Sequence, residues 1–179
     1  MRLGFSGKLI PKKDPLMLVK AISCSKFKDQ IELMIIGDGP LKEDMLEALD
    51  QYKLNYEFLG FLNQTQLVRE GYSQIDVLVL PSNENETWGL VVNEVMTGGI
   101  PAIVSDTVGC HSDLITEGET GYVFKSGNMN DLTDKIDLFV NRHLSGTWDD
   151  SNVLRKIEHY SLENTTQGYI NCLQSVIVK

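Results

Sequence analysis

Two stretches of this chain combine residue types and spacings that suit chemistry on a phosphate-bearing ligand. The first reads Gly7-Lys8-Leu9-Ile10-Pro11-Lys12-Lys13-Asp14 and holds three lysines within six positions. In a chain of formal net charge -9, such a cluster is either a solvated basic turn or a local clamp for an anion. Gly7 lets the main chain turn tightly or lets a ligand approach it. The second stretch reads Pro81-Ser82-Asn83-Glu84-Asn85-Glu86-Thr87-Trp88-Gly89 and runs into Leu90-Val91-Val92-Asn93-Glu94-Val95-Met96. A helix starting near Gly89 would offer free N–H groups and a positive dipole end, which suit phosphate or sugar hydroxyls. Gly89 omits a side chain where a ligand would come close. Glu94 shares a polar stripe with Asn93. It is a surface carboxylate or an acceptor for the two vicinal hydroxyls of a ribose.

The elements that must position these residues follow from hydrophobic patterning. Strands are predicted at Arg2–Ser6, Ile31–Ile36, Tyr56–Leu59, Asp76–Leu80, Pro101–Ser105 and Gly121–Phe124. Helices are predicted at Pro15–Ser25, Pro40–Leu49, Thr65–Tyr72, Leu90–Thr97, Asp131–Asn141, Asn152–Tyr160 and Leu162–Val178. Alternation of this kind predicts an α/β fold, a Rossmann-like doubly wound parallel sheet with helices on both faces. The expected strand order is 3-2-1-4-5 with the last strand beyond. That order sets the first and fourth strands side by side at the topological switch point, where open sheets bind ligands. The loops that leave those two strands are Gly7–Asp14 and Pro81–Gly89. Gly37-Asp38-Gly39-Pro40 reads as a tight strand-to-helix turn without the GxGxxG spacing of a phosphate loop. Gly118–Gly121 reads as a turn.

Composition narrows the function classes. The 179 residues suit one domain with a small appendage. The acidic balance argues against nucleic acid as a partner. Cys24, Cys110 and Cys172 are odd in number and lack metal-ligand spacing, so they read as free thiols of a reducing compartment. His111, His143 and His159 offer no zinc spacing, and no metal site is expected. No apolar run reaches membrane-spanning length and the start lacks a signal-peptide pattern, which predicts a cytoplasmic protein.

Glu86-Thr87-Trp88-Gly89-Leu90-Val91-Val92-Asn93-Glu94 has an E-x7-E spacing. With Pro81-Ser82 before it and Gly99-Ile100-Pro101-Ala102-Ile103 after it, the string resembles a signature of glycosyltransferase family 4, the glycosyl transferases group 1. Gly7-Lys8-Leu9 with Lys13 resembles the family's G-R-L-x-x-x-K-G loop. Gly37–Pro40 resembles its G-x-G-P turn and Gly118–Gly121 its N-G-x-x-G segment. The resemblance extends through about Asn141.

It implies the C-terminal, donor-binding half of a GT-B fold in a retaining glycosyltransferase. The donor would be a nucleoside-diphosphate sugar of UDP or GDP type, with no cofactor and no metal. By position, Lys8 and Lys13 would hold the diphosphate and Glu86 would contact the donor sugar. Glu94 would bind the ribose, and Gly7, Thr87, Trp88, Gly89 and Leu90 would line the sugar and phosphate. Gly60, Phe61 and Leu62 would lie against the base. Residues 1–160 would form the donor domain. Residues 161–179 would form a tail that packs on an N-terminal acceptor domain, absent from this chain, which would receive a glycan or lipid-linked acceptor. The chain alone is expected to transfer little, and peripheral membrane association is expected of the full-length enzyme only. The sequence departs from the family at Lys8 for Arg, Asp14 for Gly, Trp88 for a smaller aromatic, and Val95 and Thr97 for alanines.

Three other readings are open. A sugar-nucleotide 2-epimerase shares the architecture, but the Glu86–Glu94 spacing argues against it. A noncatalytic nucleotide-binding subunit of a split transferase would keep Lys8, Lys13 and Glu94. A receiver-like signalling domain needs an acidic cluster after its first strand, where this chain has lysines.

Overall fold

Short aliphatic runs become six parallel strands: β1 (Arg2–Ser6), β2 (Glu32–Ile36), β3 (Asn55–Gly60), β4 (Val77–Leu80), β5 (Ala102–Ser105) and β6 (Gly121–Phe124). This computed structural model describes residues 1–84 and 86–177. Asn85 of the second loop, Val178 at the predicted end of the last helix, and Lys179 lie outside the described residues. The strands form one sheet in the order β3-β2-β1-β4-β5-β6, the predicted order. Leu3 stands beside Leu33 on one side and Val77 on the other. All four residues of β4 are buried, as its Val-Leu composition predicts for a strand covered on both faces.

Helices cover both faces of the sheet. On one face, Leu18 and Ile22 of α1 (Pro15–Cys24), Met45 and Leu49 of α2 (Lys42–Tyr52) and Ile136 and Phe139 of α6 (Met129–Leu144) pack on Leu3, Phe5, Leu33 and Ile35. On the other, Val92 and Val95 of α4 (Leu90–Met96) and Val153 and Ile157 of α7 (Ser151–Ile157) pack on Met34, Leu78, Leu80 and Val104. Fully burying a side chain of this size contributes about 1.5–3 kcal/mol. These two layers therefore hold the strand ends, and the loops that leave them, in fixed relation.

Three differences from the sequence pattern have local causes. The segment predicted as one helix over Thr65–Tyr72 is composite: a turn of α-helix, α3 (Gln64–Gln66), then a π turn (Leu67–Gly71), then a 3-10 turn (Tyr72–Gln74). Asn63 and Gln66 form a capping box at its start. At its far end Gly71 sits so close to β2 that a Cβ would lie 2.9 Å from the Ile36 side chain. Helix α2 begins at Lys42 rather than Pro40: Leu41 is its N-cap, outside helical geometry at φ -89° and ψ 12°, and its N–H donates to the Leu9 carbonyl at 3.0 Å. A four-residue helix, α5 (His111–Leu114), follows β5 where no helix was predicted. The last helix, α8 (Leu162–Ile177), leaves Leu162, Tyr169, Leu173 and Val176 exposed. Among the described residues, no helix is long and apolar enough to cross a membrane.

Candidate functional site

The loop after β1 folds as a 3-10 turn (Pro11–Lys13) and ends at Asp14, which has left-handed backbone (φ 46°). The Asp14 carboxylate accepts from the Met17 N–H at 3.4 Å and caps α1. Its charge is thus committed to a helix start, which explains an acid directly after two lysines. Asn83 ties the two candidate loops together. Its N–H donates to the Lys12 carbonyl at 3.0 Å, and its side-chain amide donates to the Pro11 carbonyl at 3.0 Å and to Asp14 at 3.3 Å.

This seam brings Lys13 and Glu86 together. The Lys13 ammonium donates to Glu86 Oε2 at 2.6 Å, and only 17% and 19% of the two side chains is exposed. Such a pair is less screened than a surface one. The Ser82 hydroxyl lies 3.4 Å from the same oxygen. The Lys13 stem runs past Gly7, whose missing Cβ would sit 3.8 Å from Lys13 Cε. A side chain at Gly7 would thus stand in ordinary contact with the lysine stem.

Gly7 and exposed Lys8 also line a cavity of about 600 Å³ above the ends of β1 and β2. Its walls are Ser6, Ile10, Ile36, Leu62, Leu67 and the exposed ring of Phe61. The Gly37–Pro40 turn lines it as well. There main chain packs on main chain: a Cβ on Gly37 would lie 1.9 Å from the Gly7 carbonyl oxygen, and one on Gly39 2.5 Å from that of Leu9. Gly60 accepts from the Gly37 N–H at 2.8 Å and turns the chain toward Phe61 with φ 65°.

Glu94 is placed differently. It lines a neighbouring cavity of about 640 Å³ with Gln64, Val68, Asn93, Thr97 and Tyr160. The Tyr72 hydroxyl donates to Glu94 Oε2 at 2.6 Å. Burial, the hydrogen bond to Glu94 and its charge raise the Tyr72 phenol well above its ordinary pKa, against an opposing effect of the Ser6 hydroxyl. Ser6 belongs to the first cavity and Tyr72 to the second, so these side chains stand in the wall between the two.

The remaining predicted residues divide by exposure. Thr87 and Leu90 are exposed, and Trp88 is half-buried with its indole N–H donating to Asn93 Oδ1 at 2.6 Å. Gly89 is buried. Its φ of 91° favours glycine, and a Cβ there would meet Val108 at 2.8 Å and Leu80 at 3.2 Å, so the missing side chain makes room for the protein's own core.

Sequence reasoning missed the loop Asp106–Cys110. The Glu86 N–H donates to the Thr107 carbonyl at 3.1 Å, the Gly109 N–H to the Glu86 carbonyl at 2.8 Å and the Cys110 N–H to the Trp88 carbonyl at 2.9 Å. Gly109 is the one signal that pointed there: a Cβ on it would lie 2.1 Å from the Thr87 carbonyl oxygen. Burial pushes the Cys110 thiol up to about 12, which suits a core residue and not a nucleophile. Among the described residues, no group of three or more His, Cys, Asp or Glu is arranged to hold a metal ion.

An open parallel sheet with a part-buried cation–carboxylate pair at its switch point, beside an apolar cavity, defines a Rossmann-like domain of the GT-B type. The chain belongs to the glycosyl transferases group 1, whose family profile matches residues 2–151. It is 25% identical over 177 residues to the poly(ribitol-phosphate) alpha-N-acetylglucosaminyltransferase of Staphylococcus aureus, covering 97% of this chain and 35% of that protein. It is 37% identical over 110 residues to the sulfoquinovosyl transferase SQD2 of Arabidopsis thaliana, covering 60% of this chain and 21% of that one. In fold it is similar to the Anabaena protein Alr3699/HepE solved with UDP and glucose (TM-score 0.80, 19% identity, 97% of this chain and 48% of that one). The chain spans about a fifth to a third of the length of these two curated relatives.

Proposed function

We propose that this chain is the donor-binding domain of a retaining glycosyltransferase of family 4, which moves a hexose-type sugar from a nucleoside-diphosphate sugar to a glycan or lipid-linked acceptor. The observation that carries this reading is the Lys13–Glu86 pair at the junction of the two switch-point loops, with Gly7 and Lys8 opening onto the adjacent cavity. The base, UDP or GDP type, enters the apolar cavity against Gly60, Phe61 and Leu62. Glu94 meets the ribose at the wall between the cavities. Lys8 and Lys13 take the diphosphate.

The chemistry suits these groups. As the bond from the anomeric carbon to the phosphate oxygen breaks, negative charge grows on the diphosphate and positive charge on the sugar. Lysine ammonium groups and the uncapped start of α4 at Gly89 stabilise the first. Glu86 holds the sugar hydroxyls and adds electrostatic support to the second; it forms no covalent bond. The acceptor hydroxyl attacks on the face that the diphosphate leaves and passes its proton to the departing phosphate oxygen, so configuration is retained. No cofactor or metal takes part. The acceptor is held by an N-terminal domain on which residues 161–179 pack, in a cytoplasmic enzyme of envelope polysaccharide assembly that touches the membrane peripherally.

Ligand-detected NMR of this chain with UDP, GDP, ADP and dTDP tests the reading at millimolar affinity. Selective saturation transfer from one nucleotide is the expected result and names the base. Absence of transfer from all four overturns the assignment of a donor site to this chain.

A further inference from the structure

We propose that Thr107, in the loop between β5 and α5, is a positioning residue for Glu86 and, through it, for recognition of the donor sugar. The inference rests on the reading of Glu86 as the sugar contact. Thr107 grips the Glu86 loop at both ends. At the start of the loop, the carbonyl of fully buried Ser82 accepts from Thr107 Oγ1 at 2.8 Å and from Ser105 Oγ at 2.5 Å. At its end, the Glu86 N–H donates to the Thr107 carbonyl at 3.1 Å. The two hydroxyl oxygens are 2.9 Å apart. Each hydroxyl carries one proton, so either both donate to the Ser82 carbonyl or one relays through the other. In both arrangements Thr107 closes the network.

The loaded site gives this grip its importance. Lys13 holds the Glu86 carboxylate directly, at 2.6 Å. A bound diphosphate competes for that ammonium, and Glu86 then needs a support that does not depend on Lys13. The Thr107 clamp supplies it from the loop that follows β5, through the main chain of Glu86 and through Ser82, whose hydroxyl faces the carboxylate.

The test compares UDP with UDP-glucose, and GDP with GDP-mannose, by NMR titration of the wild-type chain, Thr107→Val and Thr107→Ser. Wild type is expected to prefer the sugar nucleotide over the bare diphosphate. Losing one neutral hydrogen bond should cut that preference about three- to tenfold in Thr107→Val, leave diphosphate affinity unchanged, and be repaired in Thr107→Ser. Thr107→Ala carries the same expectation should valine not fit beside Ser105. An undiminished preference in the valine and alanine variants, or an equal fall in both affinities, overturns the positioning role while leaving the donor site standing. A wild-type chain that binds diphosphate but shows no sugar preference removes Glu86 from the sugar, and this inference with it. No binding of any diphosphate defeats the proposed function itself.

Discussion

Glu86 and Glu94 stand eight residues apart, yet the fold holds them by opposite means. Glu86 lies in a loop with no helical order, and apart from the Ser82 hydroxyl what fixes it comes from distant chain: Lys13 at its carboxylate, Thr107 and Gly109 at its backbone. Glu94 lies on α4, is carried by the helix that packs Val92 and Val95 into the core, and needs one outside partner, the Tyr72 phenol. The difference teaches where each site half is vulnerable. A carboxylate held by tertiary contacts fails when a neighbouring loop moves, whereas one held on a packed helix fails only when its own group is removed.

The largest effect should come from breaking the tertiary side. Gly109→Val places a side chain on the Thr87 carbonyl oxygen, where even a Cβ has 2.1 Å, and must push the Glu86 loop away. A loss of about 2 kcal/mol or more in urea unfolding is expected, with sugar-nucleotide binding abolished. Stability and binding equal to wild type would break the comparison. Next is Lys13→Ala, which should weaken nucleoside diphosphate about ten- to hundredfold in titrations and leave the free nucleoside unaffected. Equal losses for both ligands would remove Lys13 from the phosphate. On the helical side, Glu94→Ala should erase the discrimination between ribose and 2',3'-dideoxyribose nucleotides, about tenfold, while the melting temperature stays within a few degrees. Retained discrimination would take Glu94 out of the site. The smallest effect concerns the bridge between the regions. Trp88→Phe removes the indole N–H that donates to Asn93 and should cost about 1 kcal/mol in unfolding, with ribose discrimination preserved.

The same contrast explains what was legible in the sequence. Strands β1 and β6 were read to the residue, and the sheet order followed, because Val- and Leu-rich runs and right-handed crossovers leave few alternatives. The two loops that carry Lys8, Lys13 and Glu86 were legible because switch-point topology points at them, whereas Glu86 itself was singled out only by the family resemblance. What escaped was contact between backbones far apart in sequence. Thr107 and Gly109 carry no periodic signal, and four-residue α5 is too short to show one. Tyr72 reads as one more apolar residue of a helix until its hydroxyl is seen on Glu94, 22 positions away. The π turn at Leu67–Gly71 ends at a glycine whose added Cβ would meet Ile36 at 2.9 Å, a long-range contact that no local pattern encodes.

The contact between the Gly7–Leu9 and Gly37–Gly39 main chains reaches beyond this molecule. With carbonyl oxygens 1.9 and 2.5 Å from where side chains would begin, no single substitution at Gly37 or Gly39 can reshape the cavity floor without parting the two loops. Diversification of the cavity must therefore proceed at the rim, through side chains such as Ile10, Phe61, Leu62 and Leu67. The floor is inherited whole, and divergence among descendants of this chain is confined to the few wall positions that can vary one at a time.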